Sequence, residues 1–435
     1  MSNRHFSALR RRNAKAYRNF GLGFVFVRDK LIFLPSLLNK NNLRLLKNNL
    51  IALICGIAIY ACNSPKAEVP ALKAQSSTVK FVPKSLPPQD SIKYHNAVQE
   101  VLDKNLLRGR FNGSILVAKD GAIVYEQYVG TKDPRIKTKD SITAETSFQI
   151  ASTGKTITSA AVLKLWEEGK LDINDSVSKY FPGFPYAGVT VKTLLDHRSG
   201  LPNYLYYFET EKGKWDRKKQ ATNADVLNSL LTWNVPKAAN ADRRFQYCNT
   251  NFVLLALIVE KVSGMPFPEF LKKTFFEPLG MNHSFVISPN EQAGHIQSFQ
   301  PNNALWSLDF SDGPYGDKNI FSTPRDLLIW DQALTEGKVL SPKTLEAAYT
   351  PYSNEKPGIH NYGLGWRMLL YPNSKKIIYH NGHWHGFNIA FARLPEEKAT
   401  IIIFTNRFNP AVYSTAKKLY DVFGNYDGKQ DEGEE

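Results

Sequence analysis

Ser152-Thr153-Gly154-Lys155 opens a long apolar helical pattern that spans 150–166 and closes at Glu167-Glu168-Gly169. A serine and a lysine three positions apart at a helix start share one face, one turn apart. The serine N–H then belongs to the unsatisfied first turn, where the helix dipole favours negative charge. A lysine serves as base only when deprotonated, a state that burial and neighbouring positive charge favour. These are the parts of an acyl-transfer nucleophile.

Ser-x-x-Lys by itself is weak, because it also begins at Ser77, Ser176, Ser353 and Ser414. Ser77 lies in a Pro/Lys/Ser-rich stretch, Ser176 in a polar turn and Ser353 in a proline-flanked loop, while Ser414 starts a predicted C-terminal helix. Ser152 alone sits between a strand-like approach (Phe148, Ile150) and a buried helix pattern. Two further elements follow it. Tyr247-Cys248-Asn249 precedes a second buried helix pattern, 252–259, that ends at Ser263-Gly264. His380-Asn381-Gly382 follows the strand-like Lys376-Ile377-Ile378-Tyr379 and leads through Gly386 into Phe387-Asn388-Ile389-Ala390-Phe391. With Thr400-Ile401-Ile402-Ile403-Phe404, these short alternating runs predict adjacent antiparallel strands. Tyr-x-Asn also begins at Tyr17, Tyr94, Tyr352 and Tyr379; Tyr352-Ser353-Asn354 lies in a proline-flanked loop only 28 residues before His380.

The order Ser152-x-x-Lys155, Tyr247-x-Asn249, His380-x-Gly382 resembles the serine β-lactamase and penicillin-binding-protein superfamily, in its class C, D-alanyl carboxypeptidase and esterase-like branch. The likeness extends over about 95–420. It includes the hairpin-like Phe111-Asn112-Gly113 to Asp120-Gly121, and Asp196-His197-Arg198-Ser199-Gly200. It also includes Glu277-Pro278-Leu279-Gly280-Met281, Ser322-Thr323-Pro324-Arg325-Asp326 and Tyr362-Gly363-Leu364-Gly365-Trp366. The resemblance implies an α+β fold: an antiparallel sheet flanked by helices on both faces, an all-helical lobe between the first two motifs, and the site between them.

It also implies roles. Ser152 attacks a carbonyl carbon; Lys155 is the first candidate to take its proton, and Tyr247 is a second candidate base or the acid for the leaving group. Asn249 orients substrate and Lys155. The backbone N–H groups of Ser152 and His383 form the oxyanion hole, and Gly382 leaves room for substrate along its strand. His380 stands where classical β-lactamases carry lysine. Histidine is only partly charged at neutral pH, so a protonated His380 is expected to bind substrate carboxylate and make that binding pH-dependent. This departure favours an esterase or D-amino-acid peptidase over a true β-lactamase; a penicillin-recognising or cell-wall-binding protein with little turnover is the alternative. Lys318 reads as a solvated loop charge. Cys248 reads as a small side chain beside Tyr247. His197 belongs to a structural turn, since no Gly-x-Ser-x-Gly elbow occurs. His380, His383 and His385 lack paired carboxylates in the sequence pattern, so no metal and no cofactor are expected.

Composition bounds the rest. The chain has 435 residues and net charge +15. Residues 1–61 hold eleven Lys/Arg against Asp29, net +10, which leaves +5 for 62–435. The basic balance belongs to the leader, and nucleic acid is excluded as a partner. Lys47 and the apolar core Leu50-Ile51-Ala52-Leu53-Ile54-Cys55-Gly56-Ile57-Ala58-Ile59 read as a secretory signal, too short for a comfortable span. It ends in Ile59-Tyr60-Ala61-Cys62, which resembles a bacterial lipobox with Cys62 as lipid site. The expected organisation is a basic leader at 1–45, a lipoprotein signal peptide at 46–62 and a linker at 63–90. A serine hydrolase domain follows at 91–423, with an acidic tail at 424–435. The expected setting is the bacterial cell envelope, with a lipid anchor and a small-molecule or peptide substrate facing the periplasm or exterior. Cys248 is the one cysteine in the catalytic region, so no internal disulfide forms there.

Overall fold

The structure is a computed structural model and describes residues 24–27, 30–33, 84–136, 140–211, 213–288, 291 and 295–426. Contacts divide the chain between Gln75 and Ser76. The first unit contains an antiparallel hairpin, Phe24–Val27 with Lys30–Phe33. Apart from that hairpin, the leader, the signal segment with Cys62, the linker as far as 83 and the tail from 427 lie outside the described residues. Among the described residues, no single helix is long and apolar enough to cross a membrane.

The second unit begins with helix α1 (Pro88–Leu102). Strands β1 (Gly113–Lys119) and β2 (Ala122–Val129) form a hairpin in which Asp120 and Gly121 have φ of 51° and 78°, as a two-residue I′ turn requires. A small sheet joins β3 (Phe148–Gln149), β4 (Phe285–Val286) and β5 (Ile320–Ser322), in the order β3-β5-β4. The remaining strands are β6 (His360–Tyr362), β7 (Arg367–Leu370), β8 (Lys376–Tyr379), β9 (Gly382–Trp384), β10 (Phe387–Leu394) and β11 (Ala399–Thr405). With β1 and β2 they make an eight-stranded antiparallel sheet, order β2-β1-β11-β10-β8-β7-β6, and β9 pairs with β10.

Period-2 alternation divides the sheet between two cores. Leu116, Ile389, Phe391, Ile402 and Phe404 face one core, whereas Ile115, Val117, Ala390, Ile401 and Ile403 face the other. The second core is closed by α1 and by α9 (Ala411–Phe423), whose Val412, Ala416 and Leu419 recur at helical spacing. The first is closed by α2 (Lys155–Glu167), α7 (Asn249–Ser263) and α8 (Pro324–Thr335). Burying each of these aliphatic side chains contributes about 1.5–3 kcal/mol. Helix α2 is buried from Lys155 through Leu163, so it is a core helix rather than an amphipathic surface one. Between α2 and α7 lie α3 (Val177–Tyr180), α4 (Val191–Leu195), α5 (Tyr204–Thr210) and α6 (Asn223–Thr232), the expected helical segment.

Two local expectations are corrected. Ser414 lies inside α9, which starts at Ala411. Gly424 and Asn425 lead to a packed residue, not a tail: Tyr426 is buried, its ring centroid 5.2 Å from that of Tyr371, and its hydroxyl donates to Glu397.

Candidate active site

Strand β3 ends when Ile150 N donates to Ile320 O at 2.9 Å. The chain then turns through Ala151, at φ 48°, into a 3-10 turn Ala151–Gly154 that runs on into α2. Left-handed backbone at a non-glycine residue costs about 1–3 kcal/mol and persists only where its surroundings enforce it. Here they do. Ala151 is fully buried, Thr153 N donates to Ile150 O at 3.0 Å, and Thr153 Oγ1 donates to His380 O at 2.9 Å. Ser152 thus stands on a tight turn ahead of the α-helix, not in its first α-turn.

Lys155 Nζ donates to three acceptors: Ser152 Oγ at 2.9 Å, Asn249 Oδ1 at 2.8 Å and the Asp317 carbonyl at 2.7 Å. Its side chain is 0 % exposed, and an ammonium has three N–H to give. From the other side, Tyr247 OH donates to Ser152 Oγ at 2.9 Å. Tyr247 is half-buried at the entrance to α7. His197 brackets it: the His197 carbonyl accepts from Gln246 N at 2.8 Å, and Nδ1 accepts from Cys248 N at 3.1 Å. The two rings lie 4.3 Å apart. Burial first, then the charge of Lys155, holds the imidazole of His197 well below its ordinary value, so it is a neutral support. Ser199 Oγ donates to Asn251 Oδ1 at 2.7 Å and forms no pair with His197. Cys248 is buried with Sγ 3.5 Å from the Leu201 carbonyl, and burial pushes its thiol up to about 11. A thiol that stays protonated is a poor nucleophile.

The third motif differs from expectation at two positions. His380 is 1 % exposed, with Nε2 3.1 Å from Tyr362 OH and Nδ1 2.8 Å from the Asn381 carbonyl. Burial, then the positive charges of Arg367 and Lys155, drive its pKa well below the usual histidine range. It is therefore a neutral part of the wall, not the charge that would hold a carboxylate. At Gly382, a Cβ would come 2.3 Å from the Ile150 carbonyl. The glycine lets β9 lie against the Ser152 turn; the space beside it is occupied by protein. His383 is exposed on β9, its ring 5.6 Å from that of Phe408. His385 turns elsewhere, Nε2 lying 2.9 Å from Asp312 Oδ1.

One cation was misread from the sequence, Lys318, and one was missed, Arg367. Lys318 is 2 % exposed, not solvated. Its Nζ donates to Tyr204 OH, lies 3.2 Å from Asp317 Oδ2 and sits 4.5 Å from the centre of the Trp384 ring. Burial lowers its pKa from the usual lysine value. This cluster fixes the segment whose Asp317 carbonyl receives Lys155. Arg367, on β7, is half-buried with its guanidinium carbon 5.4 Å from the centre of the Tyr247 ring. No local pattern marks either residue, because the partners that bury them come from distant parts of the chain. Only their order after the motifs could have suggested a cation near His380.

The Beta-lactamase family model matches residues 98–424. Penicillin-binding protein 4* of Bacillus subtilis (strain 168) is 31% identical over 323 residues, which cover 71% of this chain and 70% of that protein. Among solved structures, an octameric penicillin-binding protein homologue from Pyrococcus abyssi superposes with a TM-score of 0.64 at 26% identity, covering 78% of this chain and 79% of that one. A D-amino acid amidase from Ochrobactrum anthropi SV3 shares the fold, with a TM-score of 0.60 at 23% identity over 76% of this chain and 98% of that one.

Proposed function

The chain belongs to the beta-lactamase family of serine hydrolases, and on that premise we propose that it forms an acyl-enzyme on Ser152 from D-alanyl peptides or related esters and amides. One observation carries the reading: Ser152 Oγ lies 2.9 Å from both Lys155 Nζ and Tyr247 OH. Either group is within reach to take the hydroxyl proton as the Oγ–carbon bond forms, once it has itself given up a proton: Lys155 as the neutral amine or Tyr247 as the phenolate. The tetrahedral oxygen is received by the backbone N–H groups of Ser152 and His383, each contributing about 3 kcal/mol. Asn249 holds Lys155 and offers its amide to the substrate. Water then cleaves the acyl-enzyme and restores the serine.

Neutral His380 speaks against a β-lactamase that depends on a charge at this position. The name of the Bacillus relative favours a second reading, a penicillin-recognising protein that acylates but turns over little. Intact-mass analysis after incubation with a phosphonate, a penicillin and a D-alanyl ester separates the two. The hydrolase gives product and a transient adduct, whereas the binder keeps a stable adduct and gives no product. Ser152→Ala should abolish adduct and turnover alike; an adduct that persists in this variant would sink the proposal.

The same reading places the protein in the cell envelope, attached by a lipid on Cys62. The apolar core ending in Ile59-Tyr60-Ala61-Cys62 supports it. Two acyl chains at about 0.8 kcal/mol per buried CH₂ give stable anchoring. Cys62→Ser should shift the protein out of the membrane fraction; unchanged fractionation and mass would refute the anchor.

A further inference from the structure

Beside Tyr247, on the side open to solvent, lies a cavity of about 640 Å³. It falls in the range of about 300–1,000 Å³ that takes drug-sized ligands. Phe245, Tyr247 and Tyr362 give it aromatic walls, and Arg367, Arg244 and Lys356 give it three cations. Arg367 is half-buried, and the other two are exposed. The acid on the lining, Glu355, is committed to Arg198. Gln246 and Ser353 add polar residues to the lining.

We propose that this cavity receives the group that leaves Ser152, and that it selects leaving groups that are anionic and larger than one amino acid. The inference rests on the acyl-enzyme reading above and adds the substrate class. Lys155 directs its three N–H groups inward and is fully buried. Tyr247 both touches Ser152 Oγ and lines the cavity. As the Ser152 Oγ–carbon bond forms, the bond from that carbon to the departing nitrogen or oxygen breaks, and its electron pair stays with the departing atom. The proton from the serine hydroxyl, relayed by Lys155 and Tyr247, completes the released amine or alcohol. That atom is therefore freed at the Tyr247 hydroxyl, and the rest of the leaving group lies across the ring toward Arg367. Since His380 is neutral and Lys155, 5.1 Å from the Tyr247 ring, directs its N–H groups inward, the guanidinium at 5.4 Å is the charge that meets an anion in the cavity.

The test uses one acyl group on four phenolic leaving groups: 4-hydroxybenzoate, its neutral carboxamide, 4-hydroxybenzoylglycine and its glycinamide. The wild-type protein should favour each carboxylate over its amide by about 10–100-fold in kcat/KM, the range of one charge-assisted hydrogen bond. The longer anionic ester should be processed at least as well as the shorter. Arg367→Met should reduce the carboxylate-to-amide ratio at least tenfold, and Arg367→Lys should restore part of it. If Arg367→Met does not fold, Arg244→Ala/Lys356→Ala, confined to the rim, should reduce the ratio for the longer pair more than for the shorter. A neutral fluorophosphonate reports Ser152 reactivity separately. Normal labelling with ratios near one, or with the longer anionic ester rejected more than tenfold, would overturn the inference and leave the hydrolase standing. No labelling of Ser152 would overturn both.

Discussion

The two sides of Ser152 are built on opposite principles. On the Lys155 side the lysine is fully buried and its three N–H groups all meet acceptors, from Ser152, α7 and the Gly316–Lys318 segment. On the Tyr247 side the wall is open and carries excess positive charge. A buried lysine with every N–H bonded is held rigidly, whereas an open cationic wall is accessible to a ligand. The difference separates the part of the site that performs chemistry from the part that chooses its substrate.

The most severe way to break that contrast is to remove the base. Lys155→Ala should lower kcat by about 10²–10⁴-fold, as loss of a positioned proton acceptor does. Tyr247→Phe should fall in the same range, with a further change in dependence on the leaving group that Lys155→Ala lacks. Steady-state kinetics on esters of graded leaving-group acidity measures both, and equal dependence in the two variants would erase the distinction between the sides.

His380 tests where the boundary lies. His380→Lys would place an ammonium beside Arg367 and Lys155, with the Tyr362 hydroxyl as its neighbour. An uncompensated buried charge costs about 3–5 kcal/mol, so urea denaturation should show a loss of that order and no gain in penicillin acylation. A gain in acylation with unchanged stability would restore His380 as a carboxylate anchor.

Acid should loosen the same region more gradually. His197 and His380 are both held well below the ordinary histidine value by burial. The unfolded chain therefore binds their protons first. Stability from these groups is fully present above the unfolded value and is lost as pH falls below about 6.5, by up to about 1.4 kcal/mol per pH unit for each. Denaturation midpoints from pH 7.5 to 5.5, for wild type and His380→Gln, should differ in slope in that direction; parallel lines would mean that His380 stays protonated in both states or neither. The smallest effect is expected at Cys248. Cys248→Ser keeps a hydroxyl near the Leu201 and Pro202 carbonyls, so kcat/KM should stay within about threefold and stability within about 1 kcal/mol.

The sequence revealed what is local. Helices α2 and α7 were legible because their apolar patterns run for several turns, and β8, β10 and β11 because short apolar runs alternate with turns. Ser152, Lys155 and Tyr247 were legible through spacing and order. The environments of Lys318, Arg367 and His380 were not. Lys318 is buried by Tyr204, 114 residues earlier, and by Trp384 on β9. His380 looked like a chargeable side chain until its tyrosine and arginine neighbours were placed around it. Gly382 looked like a concession to substrate, and only the approach of β9 to the Ile150 carbonyl gives its reason.

Strand β1 pairs along its whole length with β11, from Gly113 opposite Thr405 to Lys119 opposite Ala399. The centre of the sheet therefore joins segments almost three hundred residues apart. Such distant closures are late events in folding. A ribosome that has delivered the serine, lysine and tyrosine has made a chain in which β1 still lacks its neighbour β11, and β10 is not yet made. Open strand edges of this kind invite chaperones, proteases or aggregation. Since β9 and the His380 carbonyl brace the Ser152 turn, reactivity toward a phosphonate should emerge only after β11 has been added. Acylation then timestamps completion of the fold, and a truncated chain is both inert and marked for removal.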